Sequence, residues 1–164
     1  MTVAAFARPL PRLLAALLAL APVVLAAVLG NVATEPNLAG WYAALAKPAL
    51  NPPNWVFGPV WTALYLLIAY AFYHILRSKP STARRRAISI FLFQMALNCA
   101  WSFAFFSARD PMLGLTVIAV LEAAIVATIV LFHRIDKTAA RLLWPYAAWV
   151  AFAAYLNAAI WRLN

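Results

Sequence analysis

Five long apolar runs, at about 10–33, 57–77, 86–107, 112–134 and 141–161, alternate along the chain with short clusters of charge and proline. An α-helix of about 20 residues rises about 30 Å, the thickness of a bilayer's hydrocarbon core. Strict alternation of apolar and polar positions, the mark of a membrane-barrel strand, is absent, and lipid offers no partners to an open backbone. The pattern therefore predicts an all-α polytopic membrane protein, a bundle of five transmembrane helices in a single domain over 1–164. The first run follows Arg8 and Arg12 and has the outline of a secretory leader. Its near-spanning length, and its passage through Pro22 to Gly30 with no clear cleavage zone, favour a first transmembrane helix instead.

The segment 34–56 between the first two runs has a different character. It carries Trp41-Tyr42, Lys47-Pro48 and Pro52-Pro53-Asn54-Trp55. A Pro-Pro step cannot continue a helix and holds the backbone extended and stiff. Such an aromatic-rich loop, entering a membrane helix, can serve as a lid over a flat, apolar ligand.

Composition agrees with a membrane setting. Hydrophobic residues make up 67% of the chain and charged residues 10%, with a mean hydropathy of +0.86, far from soluble domains. The net charge of +9 raises the question of nucleic acid, but the positions of the charges answer it. Arg8, Arg12, Arg77, Lys79, Arg84, Arg85, Arg86, Arg134, Lys137 and Arg141 fall on one side of a five-span topology, against Lys47, Arg109 and Arg162 on the other. This bias predicts a cytoplasmic N-terminus in a bacterial cell membrane, with an outer membrane as the alternative, and basic clusters that contact lipid headgroups rather than nucleic acid. Cys99 is the sole cysteine, so no intramolecular disulfide and no cysteine metal site is expected.

The third run has a legible wheel. Gln94, Asn98, Trp101 and Phe105 share one face, which should point into the bundle or a cavity because amides in lipid need partners. Nearly opposite, Ala96, Ala100 and Ala104 form a small-residue stripe suited to close helix approach, either in a homodimer or within one bundle. In the second run Trp61, Tyr65 and Phe72 share a side. In the fifth, Tyr146, Trp149, Ala153, Leu156, Asn157 and Ile160 occupy one broad face, with Pro145 expected to bend the helix beside it. Trp61, Trp101 and Trp149 lie inside their spans, whereas Trp41, Trp55, Trp144 and Trp161 suit the interfacial aromatic belt.

Together these motifs resemble the TspO family, the translocator or tryptophan-rich sensory proteins. They include Pro59-Val60-Trp61-Thr62-x-Leu64-Tyr65, Gln94-x-x-Leu97-Asn98-x-x-Trp101-Ser102 and Pro145-Tyr146-x-x-Trp149. Leu156-Asn157-x-x-Ile160-Trp161-Arg162-Leu163-Asn164 closes the pattern. The resemblance covers about residues 20–164. It implies a five-helix bundle, often a homodimer, with a pocket beneath the loop joining the first two helices. The implied ligands are protoporphyrin IX and haem-like tetrapyrroles, isoquinoline or benzodiazepine-like drugs, and sterols. The pocket positions carry over to Trp61, Asn98, Trp101, Trp149 and Ala153, with Tyr65 and the loop around Trp55 nearby. The chain departs from the family at Leu50, where Lys-Pro-x-Trp would place a ring. Tyr155 and Arg162 also stand too far apart for the family's cholesterol-recognition pattern.

A receptor or sensor linked to tetrapyrrole metabolism or stress is the function this resemblance implies. The alternatives are a transporter of tetrapyrroles or sterols and a light- and oxygen-dependent porphyrin-degrading enzyme. No catalytic residue and no required cofactor is expected; were porphyrin degraded, Trp61 and Trp149 would take part. Asn98 is expected to donate to and accept from the ligand. His74 and His133 fall at helix ends on the basic side and read as interfacial side chains. Glu122, in the middle of the fourth span, is expected to be hydrogen-bonded between helices, the alternative being a functional intramembrane acid.

Overall fold

The computed structural model describes residues 10–164, so Arg8 lies outside the described residues. Among the described residues, five long helical stretches are apolar enough to cross a membrane. The first is α1 (Arg12–Asn37), prolonged by a π-helical turn at Leu38–Tyr42. The second is α2 (Asn54–Arg77), and the third is α3 (Thr82–Ser102) with a π-helical turn at Phe103–Ser107. The fourth is α4 (Pro111–His133), and the fifth joins α5 (Lys137–Leu142) to α6 (Trp144–Leu163). The chain is an all-α integral membrane protein.

Boundaries depart from the pattern for local reasons. The segment expected to be loop from residue 34 remains helical to Tyr42, even though Pro36 lies within it. Pro36 removes one backbone donor, and the chain answers with the wider π turn that follows. The connecting loop is thus confined to 43–53, and Pro53, at φ −55° and ψ 144°, supplies the extended residue before α2. The break in the fifth span falls at Leu143, just ahead of Pro145, which occupies the first turn of α6 where a missing N–H costs nothing.

Helix α1 shows how the bundle faces lipid. Its inner stripe is small, with Ala15, Ala19, Val23, Ala26, Gly30 and Ala33 buried, while Leu13, Leu17, Leu25 and Val32 point outward. Large residues outside and small ones inside invert the soluble pattern, because helices in lipid associate through close packing. Helix α3 packs along α1 and α4, α4 packs on α6, and α2 leans on α1 and α5 while scarcely touching α3 and α6.

At the basic end the interior is filled by packed side chains. Phe72 stacks on Phe91 and Phe91 on Phe132, with centroids 3.9 and 5.9 Å apart. Ala139 and Ala140 are buried where α5 meets α2. Two of the arginines read as headgroup contacts serve the backbone instead. Arg84 donates through Nε to Ile75 O at 2.9 Å and through Nη2 to Leu76 O at 2.8 Å, capping the last carbonyls of α2. Arg77 donates to Leu10 O. His74 is also more than an interfacial side chain, since its Nδ1 lies 2.9 Å from Asp136 Oδ2. Burial alone would raise the Asp136 carboxyl, but bonds from the Ala139 amide, His74 and the Thr138 amide outweigh it and hold the carboxyl below its usual range.

Candidate functional site

Because α2 stands away from α3 and α6 over its first turns, a cavity of about 510 Å³ opens between α1, α2, α3 and α6 at the end opposite the main cluster of arginines. Its walls follow from sequence spacing. Helix α2 contributes Phe57, Trp61 and Tyr65, each one turn apart; α6 contributes Ala153, Leu156, Asn157 and Ile160. From α3 come Asn98, Trp101 and Ser102, and the π turn adds Phe105 and Phe106. That turn matters because one extra residue per loop rotates both phenylalanines inward, and both are buried. It also carries Ala104 into the core, so the expected stripe of Ala96, Ala100 and Ala104 is broken: Ala96 and Ala100 face outward and Ala104 does not.

The rings are placed by one another. Trp61 lies over Tyr65 at 5.2 Å with a 33° tilt, and Trp101 stacks on Phe105 at 5.5 Å. Phe105 and Phe106 in turn pack against Trp41 and Tyr42 from the end of α1. Trp41 therefore belongs to this cluster rather than to an interfacial belt. The loop above is tied down at several points. Tyr42 Oη donates to Asn51 Oδ1 at 3.2 Å, and Lys47 Nζ sits 4.7 Å above the Tyr42 ring. Asn164 accepts from Ala46 N–H at 3.0 Å and donates back to Ala46 O at 3.1 Å, joining the loop to the end of α6.

The polar groups of the wall are largely committed to the protein. Tyr65 Oη donates to Asn98 Oδ1 at 3.0 Å, Asn98 Nδ2 donates to Tyr146 Oη at 3.0 Å, and Tyr146 Oη donates to Gln94 Oε1 at 3.1 Å. Trp101 Nε1 donates to Asn157 Oδ1 at 3.1 Å, and Asn157 Nδ2 donates to Pro111 O at 2.7 Å. Asn98 thus holds two partners within the protein, leaving one N–H and one lone pair of its amide for a ligand at the wall. The cavity offers mainly ring faces and methyl groups.

Of the residues read as a site, Trp61, Tyr65, Asn98, Trp101 and Ala153 come together on this wall. Trp55 and Trp149 do not. Trp55, one residue into α2, is 75% exposed because it points away from the bundle. Trp149 packs edge-on behind Phe57 at 5.8 Å, and Phe57 holds the place on the wall. Leu50 is likewise exposed rather than part of the wall. Missed altogether were the α1 positions Ala27, Gly30, Asn31 and Thr34, which no wheel of a nearly uniform apolar run distinguishes. Phe57 was findable, since it lies four residues before Trp61. Glu122 departs from expectation too: its Oε2 is buried with no hydrogen-bond partner. Among the described residues, no three His, Cys, Asp or Glu side chains gather as a metal site would require.

A family model described as TspO/MBR family matches residues 18–162. The chain is 41% identical to the tryptophan-rich protein TspO of Archaeoglobus fulgidus, over 82% of this chain and 87% of that protein. It is 40% identical to the translocator protein of Homo sapiens, over 76% and 75% of the two chains. To the tryptophan-rich sensory protein of Cereibacter sphaeroides it is 35% identical, over 76% and 77%.

Proposed function

The chain belongs to the TspO/MBR family, and from that premise we propose that it is a membrane receptor or sensor for flat, apolar ligands of the porphyrin class. The observation that carries this reading is the aromatic cavity bordered by Tyr42 and Asn54, the residues at either end of the proline-stiffened loop. Its volume of about 510 Å³ falls within the range of small-molecule sites, and its lining matches their usual character, predominantly aromatic and apolar with few polar groups. A tetrapyrrole would lie against the faces of Trp61, Tyr65, Trp101 and Phe106, with the loop closing over it. Isoquinoline-like drugs meet the same chemistry. Relatives are named as translocator and sensory proteins, and in our reading the bound state is the signal rather than an intermediate of catalysis. The arginine-rich end faces the cytoplasm of a bacterial cell membrane, by the positive-inside rule. A second copy would pack against the outward Ala96 and Ala100.

Absorbance titration of the detergent-purified protein with protoporphyrin IX in darkness tests the reading. Saturable binding is expected, weakened by about 1–3 kcal/mol in Trp61→Ala. Non-saturable partitioning, or unchanged affinity in a folded Trp61→Ala protein, overturns it. Repeated turnover to a defined product under light and oxygen would favour the degrading enzyme instead, and net flux across proteoliposomes the carrier.

A further inference from the structure

A layer of polar groups crosses the bundle near the middle of its spans. Gln94 is only 1% exposed, and its Nε2 has no hydrogen-bond partner. Glu122 Oε2 is also buried and unpartnered. One orphan is a donor and the other an acceptor. They sit on α3 and α4, helices that pack along each other in opposite directions. Counting at about 1.5 Å per residue, Gln94 and Glu122 come to the same depth, each near the midpoint of its span. Helix α4 also packs on α6, which carries Tyr146.

The hydrogen bonds on the cavity side have a direction. Tyr65 donates to Asn98, Asn98 to Tyr146, and Tyr146 to Gln94. Each member donates a hydrogen bond to the next, so the chain ends on the Gln94 amide, whose N–H groups remain free to donate. Glu122 Oε2, on the helix packed against α3, is an unmet acceptor at the same depth. Buried donors and acceptors of this kind are satisfied by one another or by a bound water, which accepts from one and donates to the other.

We propose that Gln94 and Glu122 form a mid-membrane water-binding site, and that the relay Tyr65–Asn98–Tyr146–Gln94 couples this site to the ligand cavity. Tyr65 is the member the ligand meets, and Glu122 is a positioning residue that acts through the relay. A ligand that shifts the Tyr65 hydroxyl changes the bonding of Asn98 and Tyr146 in turn, and so the environment of the Glu122 carboxyl. In the reverse direction, a change at Glu122 alters how firmly Tyr65 is held at the wall. The ligand half of this coupling rests on the proposed function; the relay and the water site do not.

Infrared difference spectroscopy of the whole protein in lipid separates the two. The carboxyl band lost in Glu122→Gln identifies Glu122, with Glu122→Asp as the second variant should the first fail to fold. In the absence of any ligand, Gln94→Leu is expected to shift this band strongly and Tyr65→Phe to shift it less. A band unmoved by Gln94→Leu overturns the water site, and one unmoved by Tyr65→Phe overturns the relay. Protoporphyrin IX, added at saturation, should shift the same band. Glu122→Gln should change protoporphyrin affinity by about two- to thirtyfold, the range of coupling through intervening residues. Saturable porphyrin binding with no band shift and no affinity change overturns the coupling to ligand. Absence of porphyrin binding to the wild-type protein overturns the proposed function, while the ligand-free shifts still decide the relay.

Discussion

The two ends of the bundle are built from the same kinds of helix, yet one is solid and the other hollow. At the arginine-rich end, Phe72, Phe91 and Phe132 stack face to face, and buried Ala139 and Ala140 let α5 approach α2. At the loop end, α2 carries Trp61 and Tyr65 and stands off from α3 and α6. Apart from Trp101 stacked on Phe105, rings there meet at tilts and edges, and Trp101 is held by the Asn157 amide, so space remains between them. The difference teaches that aromatic content alone does not make a pocket. Stacked rings facing small residues close a gap, whereas large rings braced by polar bonds on separate helices keep one open.

Substitutions at each end should therefore report different losses. Phe91→Ala, in the solid end, is expected to cost about 3–5 kcal/mol of stability, read by denaturant titration in detergent, with ligand affinity preserved in whatever remains folded. A loss confined to ligand binding would break the comparison. Gly114→Ala probes the brace of the hollow end. A Cβ there would stand 2.9 Å from Asn157 Oδ1 and 3.0 Å from the Phe105 ring, so about 1–3 kcal/mol of strain is expected, with altered Trp101 fluorescence because Asn157 holds that indole. Trp149→Ala should lower porphyrin affinity by less than about 1 kcal/mol, the usual cost at a residue that is not a direct anchor. A loss as large as that of Trp61→Ala would mean that Phe57 swings aside in the liganded state.

The smallest effect belongs to pH. The Asp136 carboxyl is held below its ordinary range in the folded protein. The stability it lends is therefore complete above the pKa of an unfolded aspartate and drains away as pH falls through the folded-state value. Unfolding midpoints measured at stepped acidic pH should show this slope, and Asp136→Asn should flatten it without altering the hollow end.

Much of this arrangement was legible from one sequence. Runs of about 20 apolar residues have no stable alternative to spanning helices, so the five spans follow from hydrophobicity alone. The i, i+4 spacings of Trp61 with Tyr65 and of Gln94 with Asn98 placed those residues on common faces. Illegible were features that depend on departures from a regular 3.6-residue helix. The π turn at Phe103–Ser107 moved Ala104 off its stripe, and the π turn after Pro36 prolonged α1 through what looked like loop.

By itself, the sequence determined which faces are polar, which are ringed and which are small, because side-chain direction along a helix is fixed by local geometry. Whether a facing pair closes or leaves a void was decided only by the tertiary structure. Asn98 illustrates the division: its inward position was dictated by periodicity, but its commitment to Tyr65 and Tyr146 arises where α2, α3 and α6 converge. Trp149 illustrates it again, since its wheel position was right and Phe57, from another helix, took the wall. Interhelical distance is set by all the contacts along two rods at once, and no single strand of spacing contains it.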